Sequence, residues 1–149
     1  GEAPAAWALS TASEYRSALE AVDGDGATFY SSVGHSVTGL NEWHSGKWFC
    51  EAIALPSKGS AKGMTVTPRP ENGGVVYGFP RAFKLQYSDD GVIWQTIAEY
   101  TDFVPDGAEA IAFPFGRRIR AKYFRMLATE LGEDEFGTYI FQIAEIALQ

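Results

Sequence analysis

The feature that most constrains this fold is a series of short apolar segments separated by turn-forming residues. The segments are rich in β-branched and aromatic residues, and Gly, Pro, Asn and Asp lie between them. This pattern is typical of short β-strands. The predicted strands cover 48–55, 63–69, 83–87, 94–100, 111–115, 123–128 and 141–148. Because no helix separates them, the pattern favours a β-sandwich or jelly roll over an alternating α/β fold.

Two local signals refine this prediction. Residues 12–22 place Tyr15, Leu19 and Val22 at helical spacing, but glycines follow at once, so at most a short helical turn is expected. The Asp90-Gly91 pair lies between the strands predicted at 83–87 and 94–100. Glycine there can supply the positive φ that a hairpin turn needs.

Length and cysteine content indicate one self-sufficient domain over 1–149. A chain of 149 residues buries about 70% of its unfolded surface, so it needs neither a disulfide nor a metal merely to fold. The sequence shows no internal repeat or linker. Cys50 is the only cysteine, and its apolar neighbours predict a buried, unreactive thiol.

The charge balance restricts the partners. Nineteen acidic and 12 basic residues give a formal net charge of -7. Nucleic acids and anionic membranes attract positively charged proteins, so neither is expected as a partner. A neutral ligand or a cation is favoured. No apolar run approaches the roughly 20 residues that a membrane-spanning helix requires, so no membrane insertion is expected.

The sequence carries no familiar catalytic signature. Residues 34–39 (GHSVTG) miss the spacing of a nucleophile elbow by one residue, and there is no Walker loop and no His-Glu-x-x-His motif. His35 and His44 lack a third nitrogen or thiolate ligand for zinc. A carboxylate pair for glycoside hydrolysis depends on the fold and stays open. The prediction is a protein that binds rather than an enzyme.

Residues 23–28 (DGDGAT) concentrate oxygen ligands in a glycine-rich turn. Calcium prefers six to eight carboxylate and carbonyl oxygens, which such a turn can offer. The segment is not an EF-hand, because Ala27 and Gly34 stand at two ligand positions. An ordinary Asp-Gly turn is the alternative interpretation.

Six segments spread along nearly the whole chain form a recognisable set: 21–32 (AVDGDGATFYSS), 48–55, 67–69, 87–94 (YSDDGVIW), 122–126 and 144–146 (AEI). In this order the set resembles the discoidin, or factor V/VIII type C, superfamily, and most closely its family 32 carbohydrate-binding modules. Three features depart from the family pattern. Tyr30 replaces a usual Trp, Ala54 replaces a common Asp, and 33–47 is longer and richer in Gly and His.

The resemblance implies a jelly-roll sandwich of about eight main antiparallel strands, with binding loops grouped at one end. It also implies a structural calcium ion that fastens the N-terminal loop to the last strand. The implied side-chain ligands are Asp23, Thr28 and Glu145, with Asp25 contributing its side chain or its carbonyl. Carbonyls near Glu20, Thr28 and Ala144 would complete the shell.

The same resemblance implies the ligand-binding residues. Arg69 and Asn72 fall where the family places its planar hydrogen-bonding groups. His44 is the candidate histidine, with His35 close behind, and Phe136 and Tyr139 are the candidate stacking aromatics. Each has a structural alternative: an ion pair for Arg69, a plain turn at Asn72, a packed histidine, and a core role for Tyr139.

The resulting hypothesis is a non-catalytic carbohydrate-binding module that targets a secreted or surface glycoside hydrolase to glycans. Its expected partners are a glycan or terminal sugar and other domains of a larger parent protein. By resemblance, the expected location is secreted, periplasmic or at the cell surface. The alternative is a protein-interaction or architectural module of the same fold. Lipid-headgroup binding is disfavoured by the acidic balance.

Overall fold

The computed structural model describes residues 10–11, 13–36, 43–44, 47–48 and 51–149. For 10–11, 43–44 and 47–48 it describes only the backbone. Cys50, on which the buried-thiol prediction rests, lies outside the described residues. The strands are β1 (Ser10–Thr11), β2 (Tyr30–Ser31), β3 (Trp43–His44), β4 (Lys47–Trp48), β5 (Glu51–Pro68), β6 (Ala82–Ser88), β7 (Gln95–Tyr100), β8 (Ile111–Glu130), β9 (Gly132–Glu133), β10 (Tyr139–Ile140) and β11 (Gln142–Leu148).

One short 3-10 helix, Ala18–Ala21, lies inside the segment for which at most a helical turn was predicted. The hydroxyl of Ser17 caps it by accepting a hydrogen bond from the backbone N–H of Leu19 at 3.1 Å. Such a cap satisfies one of the donors that have no partner within the helix. No helix in the described part of the chain is long and apolar enough to cross a bilayer.

Seven of these strands form one continuous antiparallel sheet in the order β2-β11-β5-β8-β6-β7, with β1 paired to β5. β9 pairs with β10 and β3 pairs with β4 as two small hairpin ladders. The hairpin of β6 and β7 was expected from the sequence, and Gly91 in its turn has φ +75°. Glycine adopts this conformation without the steric cost that a Cβ atom would bring.

The long strands β5 and β8 fold the sheet over on itself. The first half of β5 pairs with the second half of β8, and the second half of β5 pairs with the first half of β8. The register shifts between Pro56 and Gly59 and again between Ala61 and Gly63. Bulges of this kind bend a strand without ending it. The strands predicted separately at 48–55 and 63–69 are therefore largely parts of one strand, β5. Those predicted at 111–115 and 123–128 are likewise parts of β8.

The core fills the space between the two halves of the folded sheet. Phe83 of β6 contacts Phe113, at the beginning of β8, with ring centroids 5.4 Å apart. Ile53 and Met64, from opposite halves of β5, are both fully buried in the same cluster. The all-β jelly-roll sandwich predicted from the sequence is confirmed.

Folding β5 at its middle creates two distinct ends of the molecule. Both ends of β5 lie at one of them. Arg69 follows Pro68, the last residue of β5. Glu51, its first residue, contacts His35, which also pairs with Tyr139 of β10. We call this end the loop pole. The bent middles of β5 and β8, residues 57–62 and 115–122, form the opposite end, which we call the corner.

Candidate functional site

The candidate site is centred on an ion pair between Arg69 and Glu135 at the loop pole. Nη1 of Arg69 donates to Oε1 of Glu135 at 3.0 Å, and Nη2 donates to Oε2. Nη1 also donates to Oε1 of Gln142, in β11, at 2.9 Å. Three of the five guanidinium N–H donors thus have partners among the described residues. Arg69 is only 9% exposed, so these contacts hold its guanidinium in one orientation.

Aromatic rings border the same guanidinium. Cζ of Arg69 lies 4.8 Å from the ring centroid of Phe29 and 5.7 Å from that of Tyr77. Arg16 contacts the Phe29 ring as well, with Cζ at 4.0 Å. These distances are within the range of cation–π attraction, which adds to the ion pair in positioning Arg69.

The loop between β9 and β10 places Glu135 against Arg69 and exposes the next residue. Oδ1 of Asp134 accepts the backbone N–H groups of Phe136 and Thr138, both at 2.9 Å. Gly137 has φ +78°, which closes the turn. The Phe136 side chain consequently projects from the loop and is 85% exposed. A large apolar ring in water contributes little to folding and is available for contact with a ligand.

Asn72 joins the cluster from a tight turn after β5. Its backbone N–H and C=O both bond to Val75, and Gly73 and Gly74 between them have φ +63° and +81°. Positive φ at both central positions is the conformation of a type I′ hairpin turn. Nδ2 of Asn72 donates to Oε2 of Glu135 at 3.0 Å. The turn therefore presents an exposed side-chain amide beside the ion pair.

The electrostatics keep Glu135 charged. The hydrogen bond from Arg69 lowers the pKa of Glu135 to about 2, and the Asn72 amide and the charge of Arg69 act in the same direction. The carboxylate is ionised throughout the physiological range, and its charge is compensated by Arg69. The surface thus offers a fixed acceptor, a fixed donor and an exposed amide within one small area.

Tyr139 occupies a neighbouring position. It is half-buried, packs against the core and borders a groove of about 490 Å³. Tyr77, which contacts Arg69, also lines this groove, together with Arg81 and Glu133. The groove therefore continues from the ion pair toward Tyr139, which contributes an aromatic wall.

The two candidate histidines differ in what the structure describes. Only the backbone of His44 is described, as part of β3. Nε2 of His35 lies 2.7 Å from Oε2 of Glu51, a carboxylate that is 2% exposed. The hydroxyl of Ser13 lies 2.8 Å from both Glu51 oxygens. Because the carboxylate lies between Ser13 and His35, the imidazole is not positioned to activate the hydroxyl as in a catalytic triad.

The candidate calcium ligands Asp23 and Thr28 meet in the loop that follows the 3-10 helix. Oγ1 of Thr28 hydrogen bonds to Oδ2 of Asp23 and lies 3.1 Å from the carbonyl oxygen of Asp25 and 3.5 Å from that of Glu20. The side chain of Asp25 instead accepts the backbone N–H of Ala27 at 2.8 Å. The structure thus brings together two side chains and two carbonyl oxygens, with Asp25 offering its carbonyl.

Glu145 of β11 completes this group. Its Oε1 is buried and has no hydrogen-bond partner among the described residues. Burial raises the pKa of Glu145 to about 7, and the hydrogen bond to Asp23 and the Asp23 charge add to the rise. Two carboxylates facing one another need a proton or a cation between them.

This arrangement fits calcium better than a transition metal. Within the described ranges, no three His, Cys, Asp or Glu side chains gather in a cluster. Zinc sites need nitrogen or thiolate ligands, whereas calcium accepts carboxylate, hydroxyl and carbonyl oxygens in flexible geometry. The unpartnered carboxylate oxygen of Glu145 is a donor of the type that hard cations accept.

Sequence reasoning missed four residues that build the site: Glu135, Gln142, Phe29 and Tyr77. Glu135 belongs to an acidic run, 133–135, visible in the sequence, but a run of acids alone does not indicate an arginine partner. Glu135 and Gln142 lie 66 and 73 positions from Arg69, so no local spacing links them. Phe29 falls inside the resemblance segment 21–32, but nothing there distinguishes it from a core residue.

The family model described as the F5/8 type C domain matches residues 5–146. The comparison with curated protein sequences found no match.

Several solved structures share the fold. The family 32 carbohydrate-binding module of NanJ from Clostridium perfringens, in complex with galactose, is 18% identical, with a TM-score of 0.66 over 94% of this chain and 90% of that chain. Chitosan-binding module 2 of a chitosanase/glucanase from Paenibacillus sp. IK-5, in complex with chitotriose, is 20% identical, with a TM-score of 0.65 over 95% and 94%. The C-terminal domain of a chitobiase from Bacteroides fragilis is 18% identical, with a TM-score of 0.61 over 94% and 89%.

Proposed function

Because this chain belongs to the F5/8 type C domain family, we propose that it is a non-catalytic carbohydrate-binding module with its site at the loop pole. The observation that carries the proposal is the cluster of Arg69, Asn72 and Glu135 beside the exposed ring of Phe136. Sugars present hydroxyl groups that need both donors and acceptors, and an apolar ring face that stacks on aromatic side chains. The cluster supplies all three within one small surface.

The hydrogen-bonding capacity of the cluster supports this proposal. Among the described residues, two N–H groups of Arg69 and the side-chain amide oxygen (Oδ1) of Asn72 have no partner, so they are available to hydroxyl groups of a ligand. Glu135 holds both neighbours in place, which reduces the entropy lost when a ligand is ordered against them. Phe136 stands next to Glu135 in the chain and offers the stacking face.

The solved relatives support the ligand class. Galactose is bound by the NanJ module, and chitotriose by the Paenibacillus module. We extend the class, a glycan or terminal sugar, to this chain. A shallow, open site of this kind gives modest affinity, with Kd values on the order of micromolar to millimolar.

We propose further that the domain serves a larger parent protein, a glycoside hydrolase that acts outside the cytoplasm, by holding it near glycans. This part rests on the resemblance to family 32 modules. Expression of the parent protein with and without this domain would test it. Deleting the domain should lower activity on glycan surfaces but leave activity on small soluble substrates unchanged.

We also propose that calcium occupies the site formed by Asp23, Thr28 and Glu145. The ion would neutralise the two facing carboxylates and join the loop after the 3-10 helix to β11. Its role would be structural, because the ion would fasten that loop to the last strand.

The test of the sugar site is a glycan-array screen, followed by titration of the best sugar against two variants. Asn72→Ala and Phe136→Ala should each weaken binding about fivefold or more, since exposed hydrogen-bonding and stacking groups contribute on the order of 1 kcal/mol each. Both residues are exposed, so the melting temperature should change little.

Matched controls lie far from the loop pole. Gln95→Ala removes an exposed amide that also has one side-chain hydrogen bond, from Tyr87 at 2.9 Å. Ile93→Ala removes an apolar side chain that is 71% exposed. Equal affinity in all four variants, or no sugar bound by the folded domain, would contradict the proposal. Either result would favour the alternative, a protein-interaction or architectural module, with which the closed Arg69–Glu135 pair is also compatible.

A further inference from the structure

The corner opposite the loop pole carries half of the positive charge of the chain. Six of the 12 basic residues lie in its two stretches, 57–62 and 115–122, and all 19 acidic residues lie outside them. The six are Lys58, Lys62, Arg117, Arg118, Arg120 and Lys122, and every one of them is exposed. The net charge of -7 therefore conceals a strongly basic surface, which we call the basic corner.

The sheet arranges this surface in two rows. On β8, Arg118, Arg120 and Lys122 alternate with Ile119 and Ala121, which are 3% and 4% exposed. Side chains two positions apart on a strand share one face and lie about 7 Å apart. Three cations thus line the outer face of β8 at a regular interval.

The second row lies on β5. The register pairs Ser60 with Arg120 and Ala61 with Ile119, which sets Lys58 and Lys62 alongside the β8 row. Nη1 of Arg118 donates to the Ser60 hydroxyl at 3.0 Å, across the two strands. Neighbouring strands are about 4.8 Å apart, so the two rows form one narrow strip.

The clustering of these cations disfavours folding, and the charge of none of them is compensated by a described carboxylate. Like charges near one another on adjacent strands repel. None of the six cations forms a salt bridge with a carboxylate of the described residues. Isolated surface lysines are common and need no explanation, but six clustered cations without acidic neighbours in the same stretches favour an anionic partner.

We propose that the basic corner binds an acidic polysaccharide, a linear chain that carries carboxylate or sulfate groups at regular intervals. Guanidinium groups pair with such anions in bidentate geometry, and the lysines add point charges on either side. The repeat of the strip allows one chain to lie along β8 and meet several cations in turn. This binding is separate from the sugar site of the loop pole and goes beyond it.

The surroundings of the corner favour a single polysaccharide chain over a broader polyanion. The turn between β6 and β7 carries Asp89 and Asp90 and lies close to Tyr123, at the edge of the strip. A DNA duplex or an anionic bilayer would present dense negative charge to these carboxylates as well as to the strip. A flexible chain can follow the two rows and avoid the acidic flank.

The experiment titrates the whole domain with a short oligogalacturonate and, as the uncharged comparison, with its methyl ester. A sulfated oligosaccharide in a second arm distinguishes carboxylate from sulfate recognition. We expect binding to at least one of the acidic chains, none to the methyl ester, and a steep loss of affinity with added salt, because bound counterions are released. The double variant R120Q/K122Q should weaken binding about fivefold or more, from the loss of two exposed ion pairs.

The matched control is K84Q, compared with K122Q alone: each removes one lysine charge, but Lys84 lies outside the corner, so K84Q should alter affinity less than about twofold and less than K122Q does. Asn72→Ala should leave binding of the acidic chain unchanged, which separates this proposal from the sugar site. Three results would overturn the proposal: no binding to either acidic chain, equal weakening by K122Q and K84Q, or binding confined to duplex DNA or anionic vesicles titrated in parallel. Melting curves confirm that each variant is folded.

Discussion

Glu135 and Glu145 are two glutamates in opposite electrostatic situations. Glu135 faces Arg69, whose hydrogen bonds lower its pKa to about 2. Glu145 is half-buried opposite Asp23, and the burial of its carboxylate together with the hydrogen bond and charge of Asp23 raises its pKa to about 7. The first carboxylate has a cation supplied by the chain, and the second does not. The chain itself supplies the cation for Glu135, and we propose that a calcium ion supplies the one for Glu145.

Calcium removal is expected to produce the largest effect, because it takes away the cation proposed for Glu145. A ligand present at 100 times its Kd stabilises a protein by about 2.7 kcal/mol. For a chain of this size that corresponds to a fall in melting temperature of about 5–10 °C. The measurement is a thermal melt in calcium and in EDTA.

The Glu145→Gln variant is the control for the calcium effect. It keeps the shape of the side chain and removes its charge, so its melting temperature should be nearly the same in calcium and in EDTA. Identical melting of the unsubstituted domain under both conditions would contradict the proposed ion.

The next largest effect should come from Arg69→Ala, which removes the guanidinium that pairs with Glu135. Arg69 makes three hydrogen bonds to charged or amide acceptors while nine-tenths buried, so we expect a loss of about 2 kcal/mol in the free energy of unfolding. Urea denaturation measures it. Arg16→Ala is the matched control, since Arg16 contacts the same Phe29 ring but pairs with Glu20 at the surface and should cost below about 1 kcal/mol.

A similar loss in both arginine variants would show that the ion pair contributes little beyond the contact with the ring. The Arg69 result also limits how this variant can be used, because a destabilised domain loses ligand for reasons other than a missing contact. Asn72→Ala is therefore the cleaner probe of the sugar site.

The two glutamates should give pH dependences of opposite sign in EDTA. The pKa of Glu145 is raised in the folded state, so its contribution to stability is complete below about pH 4.5 and is lost as the pH rises through about 7. The pKa of Glu135 is lowered, so its contribution is present above about pH 4.5 and is lost as the pH falls toward about 2.

Stability measured from pH 2 to 8 separates the two contributions. In EDTA, the Glu145→Gln variant should lack the decline between about pH 4.5 and 7, while the decline below pH 4.5 persists. Saturating calcium should also suppress the upper decline, because the ion replaces the proton. If the decline between about pH 4.5 and 7 persists both in the Glu145→Gln variant and in saturating calcium, another group is its cause.

The smallest effect should come from Glu135→Gln, which preserves the shape of the acceptor but removes its charge. We expect a loss of about 0.5–1 kcal/mol in the free energy of unfolding, because the amide still accepts one hydrogen bond from Arg69. Glu133→Gln changes the charge equally at an exposed position and should be nearly neutral. A loss above about 2 kcal/mol would mean that the pair behaves as fully buried.

Local patterns predicted much of the fold. Alternating apolar residues on either side of Asp90-Gly91 indicated the hairpin that β6 and β7 form, because turn and strand preferences depend on neighbours in the chain. The union of 48–55 with 63–69 into one strand was not predictable. Pro56 and Gly59 normally end strands, and only pairing with β8 on both sides of the bend keeps β5 continuous.

The candidate sites depended more on contacts distant in sequence. Asp23, Thr28 and Glu145 were proposed together because the chain resembles a family, and no spacing joins residue 23 to residue 145. Arg69 and Asn72 were singled out by the same resemblance. Their shared partner Glu135 was not, because an acidic run does not say which cation it will meet.

By itself, the sequence determined the all-β architecture, the main turns and the family resemblance, since these depend on residue order and local preference. Tertiary structure alone decided which charges meet. It placed Glu135 against Arg69, left Glu145 facing Asp23, and gathered six cations at one corner of an acidic protein. The physical reason is that electrostatic energies depend on distance and burial, and both are set by how the sheet folds over rather than by position along the chain.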